Sequence, residues 1–328
     1  MRAAITGGGG FVGSALGKEL LRQGHDVSVL TRQRDGNFPA GVRVVTGDLT
    51  TDDGSARVLV ESCEVLFHCA GEVRDVARMR AVHVEGTKRL LAAVRAAAAG
   101  RDRVLHWVQL SSVGAYGSVE GKAGLEREVT EESPEAPAGE YETTKTISDV
   151  LVRKAGQDGL LTYTIVRPSN VFGAAMPNNS LRQLAQLVRR GWFCYVGRPG
   201  AVATYVHVDD VVELLVRCAC DPRARNQVFN ISNDCGLEEL IAGLAKAMAV
   251  SPPRLRLPEE ILRAGAAAGA FCGLRLLTQS RIDALVARTG YPAGKASRLL
   301  SFVPLKPVPS AIGEVVDGHS PRRSTSDA

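Results

Sequence analysis

The sequence predicts an α/β fold, with a doubly wound parallel sheet in the N-terminal half and a smaller domain in the C-terminal half. The first observation is that short apolar runs alternate with helical patterns up to residue 166. The second is a glycine-rich turn that directly follows the first of these runs. The third is a change after Arg167, where loops lengthen and prolines become frequent. Strands separated by helices of this length require right-handed crossovers, which place helices on both faces of the sheet.

Each predicted strand is short and apolar, and each predicted helix has apolar residues at helical spacing. In the first helix Val12, Leu16 and Leu20 share one face, and Gly24 ends the pattern. The strands predicted in the N-terminal half are Ala3–Thr6, Asp26–Leu30, Val42–Val45, Glu64–Cys69, Val104–Leu110 and Thr162–Val166. The helices predicted there are Phe11–Gly24, Ala77–Ala99 and Tyr141–Gln157. The elements predicted in the C-terminal half are helices at Ser180–Arg190, Asp209–Cys220 and Leu237–Ala249, and strands at Phe193–Val196 and Gln227–Ile231.

Composition and charge argue against several classes of function. The 328 residues carry a formal charge of +5 and their basic side chains are scattered, so nucleic-acid binding is not predicted. The seven cysteines form no Cys-x-x-Cys pair and no zinc-ligand spacing, so no metal site is predicted. The apolar stretch Ala264–Leu274 is too short to cross a bilayer, which favours a core helix over a membrane-surface contact. Because a strand, and not a signal peptide, begins the sequence, we expect a cytoplasmic protein with reduced thiols.

The glycine-rich turn has the spacing of a dinucleotide-binding loop. Gly7, Gly10 and Gly13 form a G-x-x-G-x-x-G pattern between a strand and an amphipathic helix. The first glycine permits a tight turn, the second lets the backbone approach a pyrophosphate, and the third lets the helix pack on the sheet. Phe11 and Val12 lie in the first turn of that helix, whose N–H groups and dipole favour phosphate. The pattern therefore predicts a nicotinamide dinucleotide site on a Rossmann-type domain.

The end of the second strand indicates which dinucleotide is used. Folds that prefer NAD usually place an acidic residue there, which binds the ribose hydroxyls. Here the strand is followed by Thr31 and Arg32, and Asp35 comes only later. A guanidinium pairs with a 2′-phosphate in forked geometry, so Arg32 favours NADP, with NAD as the alternative.

A second group of residues predicts redox chemistry. Tyr141 and Lys145 are four residues apart at the start of a helix and therefore share one face. Ser112 follows the strand that ends at Leu110, at the edge where a parallel sheet binds its ligands. A phenol beside an ammonium and a positive nicotinamide is expected to have a lowered pKa, so that it exchanges a proton with an alcohol or a ketone. The serine hydroxyl is expected to bind the carbonyl oxygen.

Several short motifs occur in the order found in one known family. They are Thr6–Gly13 (TGGGGFVG), Asp48–Leu49, His68–Gly71 (HCAG), Ser112, Tyr141–Lys145 (YETTK), Arg167–Gly173 (RPSNVFG) and Val206–Val211 (VHVDDV). In these motifs the chain resembles the extended short-chain dehydrogenases/reductases, the NAD-dependent epimerase/dehydratase family, over about residues 1–250. A weaker similarity follows at Lys295–Phe302, which resembles the closing segment of that family.

The resemblance implies roles for the matched residues. It implies that Ser112, Tyr141 and Lys145 form the catalytic set. The residues that it implies for the cofactor are Asp48, Leu49, Ala70, Gly71, Tyr141, Lys145 and Arg167. The first two would lie beside the adenine, the next two along the ribose and phosphates, and the arginine at the nicotinamide end. The resemblance also implies that His207 and the aspartates after it cap the helix that follows.

The substrate side departs from the family pattern. Asn170 lies where sugar-nucleotide enzymes often bind the substrate diphosphate, and Ser112 is expected to contact the substrate as well. The asparagine that the family carries in an Asn-Val-x-Gly-Thr pattern is His83 here. The arginine that commonly precedes the VHVDD-like segment is replaced by Ala203, and Arg198 or an arginine of Arg182–Arg190 is the candidate substitute.

Three functions follow, in order of preference. The first is an NADP-linked enzyme on an activated sugar, either a 4-epimerase or a 4-ketoreductase, because the residues after Ser112 lack the acids of a dehydratase. The second is a ketoreductase of a steroid-, flavonoid- or polyketide-like substrate, which Ala203 and the apolar stretch Ala264–Leu274 favour. The third is a dinucleotide-sensing regulator without catalysis, against which the intact Ser112–Tyr141–Lys145 set argues.

The predicted domain limits follow from these motifs. Residues 1–170 form the dinucleotide-binding domain, to which 205–235 return, and residues 171–316 form the substrate-binding domain. The polar tail at 317–328 is expected to be disordered. The family resemblance implies a homodimer that pairs through the helices Ala77–Ala99 and Tyr141–Gln157.

Overall fold

The computed structural model describes residues 1–33, 38–98, 104–117, 125–177, 179–271 and 278–317. The predicted disordered tail therefore lies outside the described residues, apart from its first residue. The end of the apolar stretch Ala264–Leu274 also lies outside them.

The N-terminal part alternates strands and helices. Its strands are Arg2–Thr6 (β1), Asp26–Thr31 (β2), Arg43–Thr46 (β3), Val65–His68 (β4) and His106–Leu110 (β5). Its helices are Phe11–Arg22 (α1), Ser55–Val60 (α2), Val76–Arg80 (α3) and Gly86–Ala98 (α4). A π-helical turn, Ala81–Glu85, joins α3 to α4, so the helix predicted at Ala77–Ala99 is interrupted. A 3₁₀ turn, Val113–Tyr116, follows β5.

The remaining elements are shorter, with one long helix among them. The strands are Arg127–Glu128 (β6), Thr162–Pro168 (β7), Asn170–Phe172 (β8), Tyr195–Val196 (β9), Val202–Ala203 (β10), Tyr205–His207 (β11), Gln227–Ile231 (β12), Cys235–Gly236 (β13), Arg256–Leu257 (β14) and Thr289–Gly290 (β15). The helices are Glu140–Gln157 (α5), Ser180–Arg189 (α6), Val208–Cys220 (α7), Leu237–Ala247 (α8), Glu259–Phe271 (α9), Gln279–Val286 (α10), Gly294–Leu300 (α11), Val308–Ala311 (α12) and Gly313–Asp317 (α13).

A seven-stranded parallel sheet forms the centre of the molecule, in the order β12-β7-β5-β4-β1-β2-β3. The chain leaves β1 in one direction to β2 and β3, and then returns to the other side for β4 and β5. The carboxyl ends of β1 and β4 therefore flank the point where the strand order reverses, which is where open α/β sheets bind ligands. The predicted doubly wound α/β fold is confirmed.

Both faces of the sheet are buried, because the side chains of each strand alternate between two cores. In β1, Ala3 and Ile5 pack towards α1 and α7, whereas Ala4 packs towards α2, α4 and α5. A third core lies outside the sheet, where Phe172, Leu240 and Val308 bring β8, α8 and α12 together.

A buried ion pair fixes α5 against the sheet. Asp149 of α5 and Arg167 of β7 are 0% and 1% exposed, and the Arg167 Nη2 atom lies 3.0 Å from the Asp149 Oδ2 atom. The same carboxylate accepts a hydrogen bond from the Ser111 hydroxyl at 2.7 Å. Glu135 also binds Arg167, and it forms a forked pair with Arg153 of α5. The network joins α5 to the ends of β5 and β7.

We expect Asp149→Asn to destabilise the protein by about 3 kcal/mol, because it leaves a buried guanidinium with one fewer carboxylate. The measurement is the free energy of unfolding from urea denaturation. The control is Glu213→Gln, which removes an exposed pair with Arg217 and is expected to cost less than about 1 kcal/mol. Equal losses in the two variants would contradict the structural role of the buried pair.

Candidate active site

The glycine loop leaves the N-terminus of α1 open to a ligand. Gly7 has a φ of 71°, and a methyl group there would lie 2.6 Å from the Ala70 amide nitrogen. The loop therefore packs directly on the segment after β4. Gly10 caps α1 and donates its N–H to the Gly7 carbonyl at 2.9 Å. No side chain caps the helix and no acidic residue lies in its first turn, so its N–H groups and its dipole are available to an anion.

A groove of about 580 Å³ runs from this loop across the ends of β2, β3 and β4. It brings together most of the predicted cofactor residues, which are Gly7, Gly10, Arg32, Asp48, Leu49, Ala70 and Gly71. Phe11, Val12 and Gly13 follow in the first turn of α1. The groove also contains Arg78 of α3, whose Nη2 atom lies 4.0 Å from the Asp48 Oδ2 atom. Arg78 was not predicted, because no sequence pattern distinguishes one arginine on the surface of a helix. The lining fits a dinucleotide, with backbone N–H groups at one end and guanidinium groups at the other.

The three predicted catalytic residues meet at the end of β5. Ser112 begins the 3₁₀ turn, and its hydroxyl oxygen accepts a hydrogen bond from the Gly114 N–H at 3.1 Å. Tyr141 lies in the first turn of α5, with its phenol close enough to Ser112 for the serine hydroxyl to lower the pKa of the phenol. Lys145 is 5% exposed, and its ammonium donates to the Leu110 carbonyl. The last residue of β5 thereby holds the lysine, and the residues that follow hold the tyrosine.

The pKa of Tyr141 departs from the sequence expectation. The pKa is raised to about 12, mainly by burial and then by the charges of Glu142 and Asp149, whereas the interaction with Ser112 lowers it. In the protein alone the pKa of the phenol is thus raised, because burial outweighs the interaction with Ser112; the expected lowering beside a bound nicotinamide stays a prediction. Burial also lowers the pKa of Lys145, and the negative charge of Asp149 partly offsets this by raising it. A protonated phenol at neutral pH suits a proton donor.

His83 stands where the family has an asparagine, and its ring is enclosed within the π-helical turn. The side chain is 1% exposed and meets the Tyr141 ring edge-on, with the ring centroids 5.6 Å apart. Its Nε2 atom accepts the Glu72 N–H at 2.9 Å, so the proton is on Nδ1 and is donated to the Thr144 hydroxyl at 2.8 Å. Burial and the charge of Lys145 lower the pKa of His83 to about 3. The ring is therefore neutral at physiological pH and links the segment after β4 to α5.

Three predicted residues lie apart from this catalytic cluster. Arg167 is enclosed in the ion network behind α5, where its guanidinium binds Asp149 and Glu135. Its predicted place at the nicotinamide end of the cofactor stays a prediction. The Asn170 amide donates to the Thr204 carbonyl at 3.0 Å. Arg198 is exposed, and only its carbonyl has a described contact.

His207 has the capping role that the sequence implies. Its Nδ1 atom accepts the Asp209 N–H at the start of α7. Asp210 accepts the backbone N–H groups of Leu305 and Lys306. Within the described ranges, no group of three His, Cys, Asp or Glu residues is arranged to hold a metal ion. In the same part of the chain, no helix is long and apolar enough to cross a membrane.

The fold and the groove define an NAD(P)-dependent enzyme of the reductase and epimerase type. Residues 3–232 match the model of the NAD dependent epimerase/dehydratase family, and the chain belongs to this family.

Individual relatives differ in substrate. The chain is 33% identical to the dTDP-6-deoxy-L-talose 4-dehydrogenase (NAD(P)(+)) of Kitasatospora kifunensis over 55% of each chain, so this match spans about half the length of that relative. It is 27% identical to the 4-hydroxy-2-methyl-3-oxo-4-farnesyl-3,4-dihydroquinoline-1-oxide ketoreductase of Stigmatella aurantiaca, over 87% of this chain and 84% of that protein. The UDP-glucuronic acid 4-epimerase of Bacillus cereus, solved in complex with NAD, shares the fold with a TM-score of 0.74 and 17% identity, over 97% of this chain and 98% of that chain.

We expect His83→Ala to lower kcat by about 10- to 100-fold, because the Tyr141 ring loses its neighbour and α5 loses its link to the π-helical turn. The measurement is kcat and KM from pH 5 to pH 9. Since His83 is neutral over this range, the limbs of the pH profile are expected to keep their positions. The control is His106→Gln, a buried histidine on β5 that is bonded to Thr162. A displaced limb would show that His83 titrates in the reaction and would contradict the positioning role.

Proposed function

We propose that this protein is an NAD(P)-dependent ketoreductase that interconverts a ketone and a secondary alcohol, on a substrate without a nucleotide diphosphate. The observation that carries the proposal is the contact of Ser112 and Tyr141 at the end of β5, with Lys145 enclosed beside them. A nicotinamide bound in the groove supplies or accepts the hydride. In the reducing direction Ser112 binds the carbonyl oxygen and Tyr141 donates the proton to it.

The electrostatics of the site support the reducing direction. The raised pKa of Tyr141 keeps its phenol protonated at neutral pH, so a proton is available when the carbonyl oxygen becomes an alkoxide. Lys145 is held by the Leu110 carbonyl and retains further N–H groups, which suit the ribose hydroxyls of a dinucleotide. Each of the three side chains thus has a separate task, which is to bind the oxygen, protonate it, or bind the cofactor.

The C-terminal half argues against a diphosphate. Ala203 is buried in β10, where the family commonly has an arginine. Several arginines of this half are committed to partners within the protein: Arg256 to Glu238, Arg263 to Glu259 and Asp283, and Arg288 to the carbonyl of Gly200. A guanidinium that is already paired contributes little to binding a second anion. The similarity to a farnesyl-quinoline ketoreductase over most of both chains agrees with an apolar ketone substrate.

A second candidate is a 4-epimerase or 4-ketoreductase of a nucleotide sugar. The similarity to a dTDP-sugar 4-dehydrogenase favours it, and so does Arg182 of α6. The Nε atom of Arg182 is buried and has no hydrogen-bond partner among the described residues. A phosphate oxygen would satisfy it. A rise in Tm on adding UDP- or dTDP-glucose, lost in Arg182→Ala, would favour this candidate over the first.

We also propose NADP as the preferred cofactor, since Arg32 and Arg78 line the groove and no acidic residue ends β2. Arg32→Ala is expected to weaken NADPH binding about 10-fold, through the loss of one charged contact with the 2′-phosphate, and to leave NADH binding unchanged. Kd values for both, from fluorescence titration, are the measurement. Arg43→Ala, an exposed arginine on β3, is the control. If binding of both dinucleotides falls equally, Arg32 does not contact the 2′-phosphate.

Tyr141→Phe is expected to lower kcat for ketone reduction by about 10²- to 10⁴-fold, because the proton donor is lost and the ring is kept. The measurement is NADPH oxidation with a panel of apolar ketones, at saturating cofactor. Tyr163→Phe on β7 removes a phenol away from the site and is the control, with unchanged kcat expected. Unchanged turnover in Tyr141→Phe would show that another group donates the proton, and the proposed mechanism would be wrong.

A further inference from the structure

Glu142, directly after the catalytic tyrosine, lies in a slot formed by two glycines. Its side chain folds back over Gly139, where a methyl group would collide with its carboxylate oxygen Oε2. A methyl group at Gly114 would lie 2.8 Å from the Glu142 Cγ atom and 3.3 Å from the Ser112 hydroxyl oxygen. Glu142 and the Ser112 hydroxyl therefore face the same small space above Gly114. That space adjoins the position where a carbonyl oxygen meets Ser112.

The Glu142 carboxylate has no partner within the described part of the chain. This is unusual for a glutamate in the third position of a helix, because such a side chain often accepts the N–H of the capping residue. At the equivalent position of α8, the Glu239 Oε2 atom accepts the Gly236 N–H at 3.0 Å. No side chain of α5 makes the corresponding bond to Gly139. Glu142 is half-buried and close to the reacting groups, so its acceptor oxygens are available to a substrate.

The charge of Glu142 also acts on the catalytic phenol. It is the largest charge effect on Tyr141 and raises the pKa of that phenol. A carboxylate paired with an arginine or a lysine would have a much smaller effect on the phenol. An anionic group of a substrate placed near Ser112 would meet the same negative charge at short range.

We propose that Glu142 is a specificity-determining residue, which accepts a hydrogen bond from a hydroxyl group on the carbon next to the reacting carbonyl and rejects substrates with an anionic group at that position. This inference rests on the proposed ketoreductase function. It narrows the substrate class to α-hydroxy ketones, or to vicinal diols in the oxidising direction. The reaction that supplies the substrate must then leave an oxygen on each of two adjacent carbons.

The test compares three ketones that differ only at this position: 2-hydroxyacetophenone, its methyl ether 2-methoxyacetophenone, and the anion benzoylformate. The wild-type enzyme is expected to prefer the hydroxy ketone to the ether by about 10-fold in kcat/KM, and the anion to be the poorest substrate. Glu142→Gln is expected to reduce the preference for the hydroxyl and to improve kcat/KM for benzoylformate by about 10-fold. The matched control is Glu140→Gln, an exposed acid in the same helical turn, for which the wild-type ratios are expected.

A second measurement follows the charge on Tyr141. Oxidation of 1-phenyl-1,2-ethanediol requires the phenolate, so kcat/KM rises with pH towards the pKa of Tyr141. Glu142→Gln is expected to move this rising part of the pH profile to lower pH by about half a unit, because the negative charge that favours the protonated phenol is gone. Glu140→Gln is expected to leave it in place.

The outcomes separate the two proposals. If no ketone is reduced by the wild-type protein with NADPH or NADH, the ketoreductase function is wrong and the inference falls with it. If ketones are reduced but the relative kcat/KM values of the three ketones are the same in the wild type and in Glu142→Gln, only the inference is wrong. If Glu142 only stabilised the end of α5, both glutamine variants would lower Tm and change kcat/KM for all three ketones by the same factor. That result would also overturn the inference.

Discussion

The buried carboxylate of Asp149 holds the parts of the site in one arrangement. A carboxylate without water is stable only when it is paired and hydrogen-bonded, so the chain must bring a guanidinium and a hydroxyl to the same point. Arg167 from β7 and Ser111 from the end of β5 both bind its Oδ2 atom, while the buried Oδ1 atom has no hydrogen-bond partner among the described residues. Lys145 lies one helical turn before Asp149 on α5, and Tyr141 one turn before that. The positions of Tyr141 and Lys145 therefore depend on an ion pair that lies behind α5.

The sequence predicted the parts of this site that depend on local spacing. The glycine loop, the Tyr141–Lys145 pair and the strand-end Ser112 were recognisable because each is a short pattern with a defined place in a β–α unit. The direction in which the pKa of Tyr141 shifts was not predictable, because it depends on how deeply the phenol is buried by elements far apart in the chain. The buried ion pair of Arg167 was not predictable for a related reason. Its partners Asp149 and Glu135 come from other segments, and no motif connects them.

In the fold, too, the elements with a local sequence pattern were predictable. The central strands and long helices were foreseen from their periodicity, whereas the break in the helix at Ala77–Ala99 was not. The break is a π-helical turn, and it allows the His83 ring to reach both the Glu72 N–H and the Thr144 hydroxyl. Two-residue strands such as β6 and β15 were missed as well, since a pair that short has no periodicity of its own and forms only where tertiary contacts bring it together. Features that depend on tertiary contacts, such as this turn and these short strands, are thus the ones that sequence patterns do not predict.

Residues beyond the family match pack against the part that matches the family model, as the segment 289–305 shows. Leu300 and Phe302 pack in the same core as β1 and α1, and the backbone at Leu305 is bound by Asp210 of α7. Pairing of β15 with β6 adds a further link, close to the turn that begins at Ser112. During synthesis, this edge of the sheet therefore stays incompletely packed until the segment 289–305 has left the ribosome. Residues 3–232 match the family model, but folding of this part also requires the segment 289–305 that packs against it.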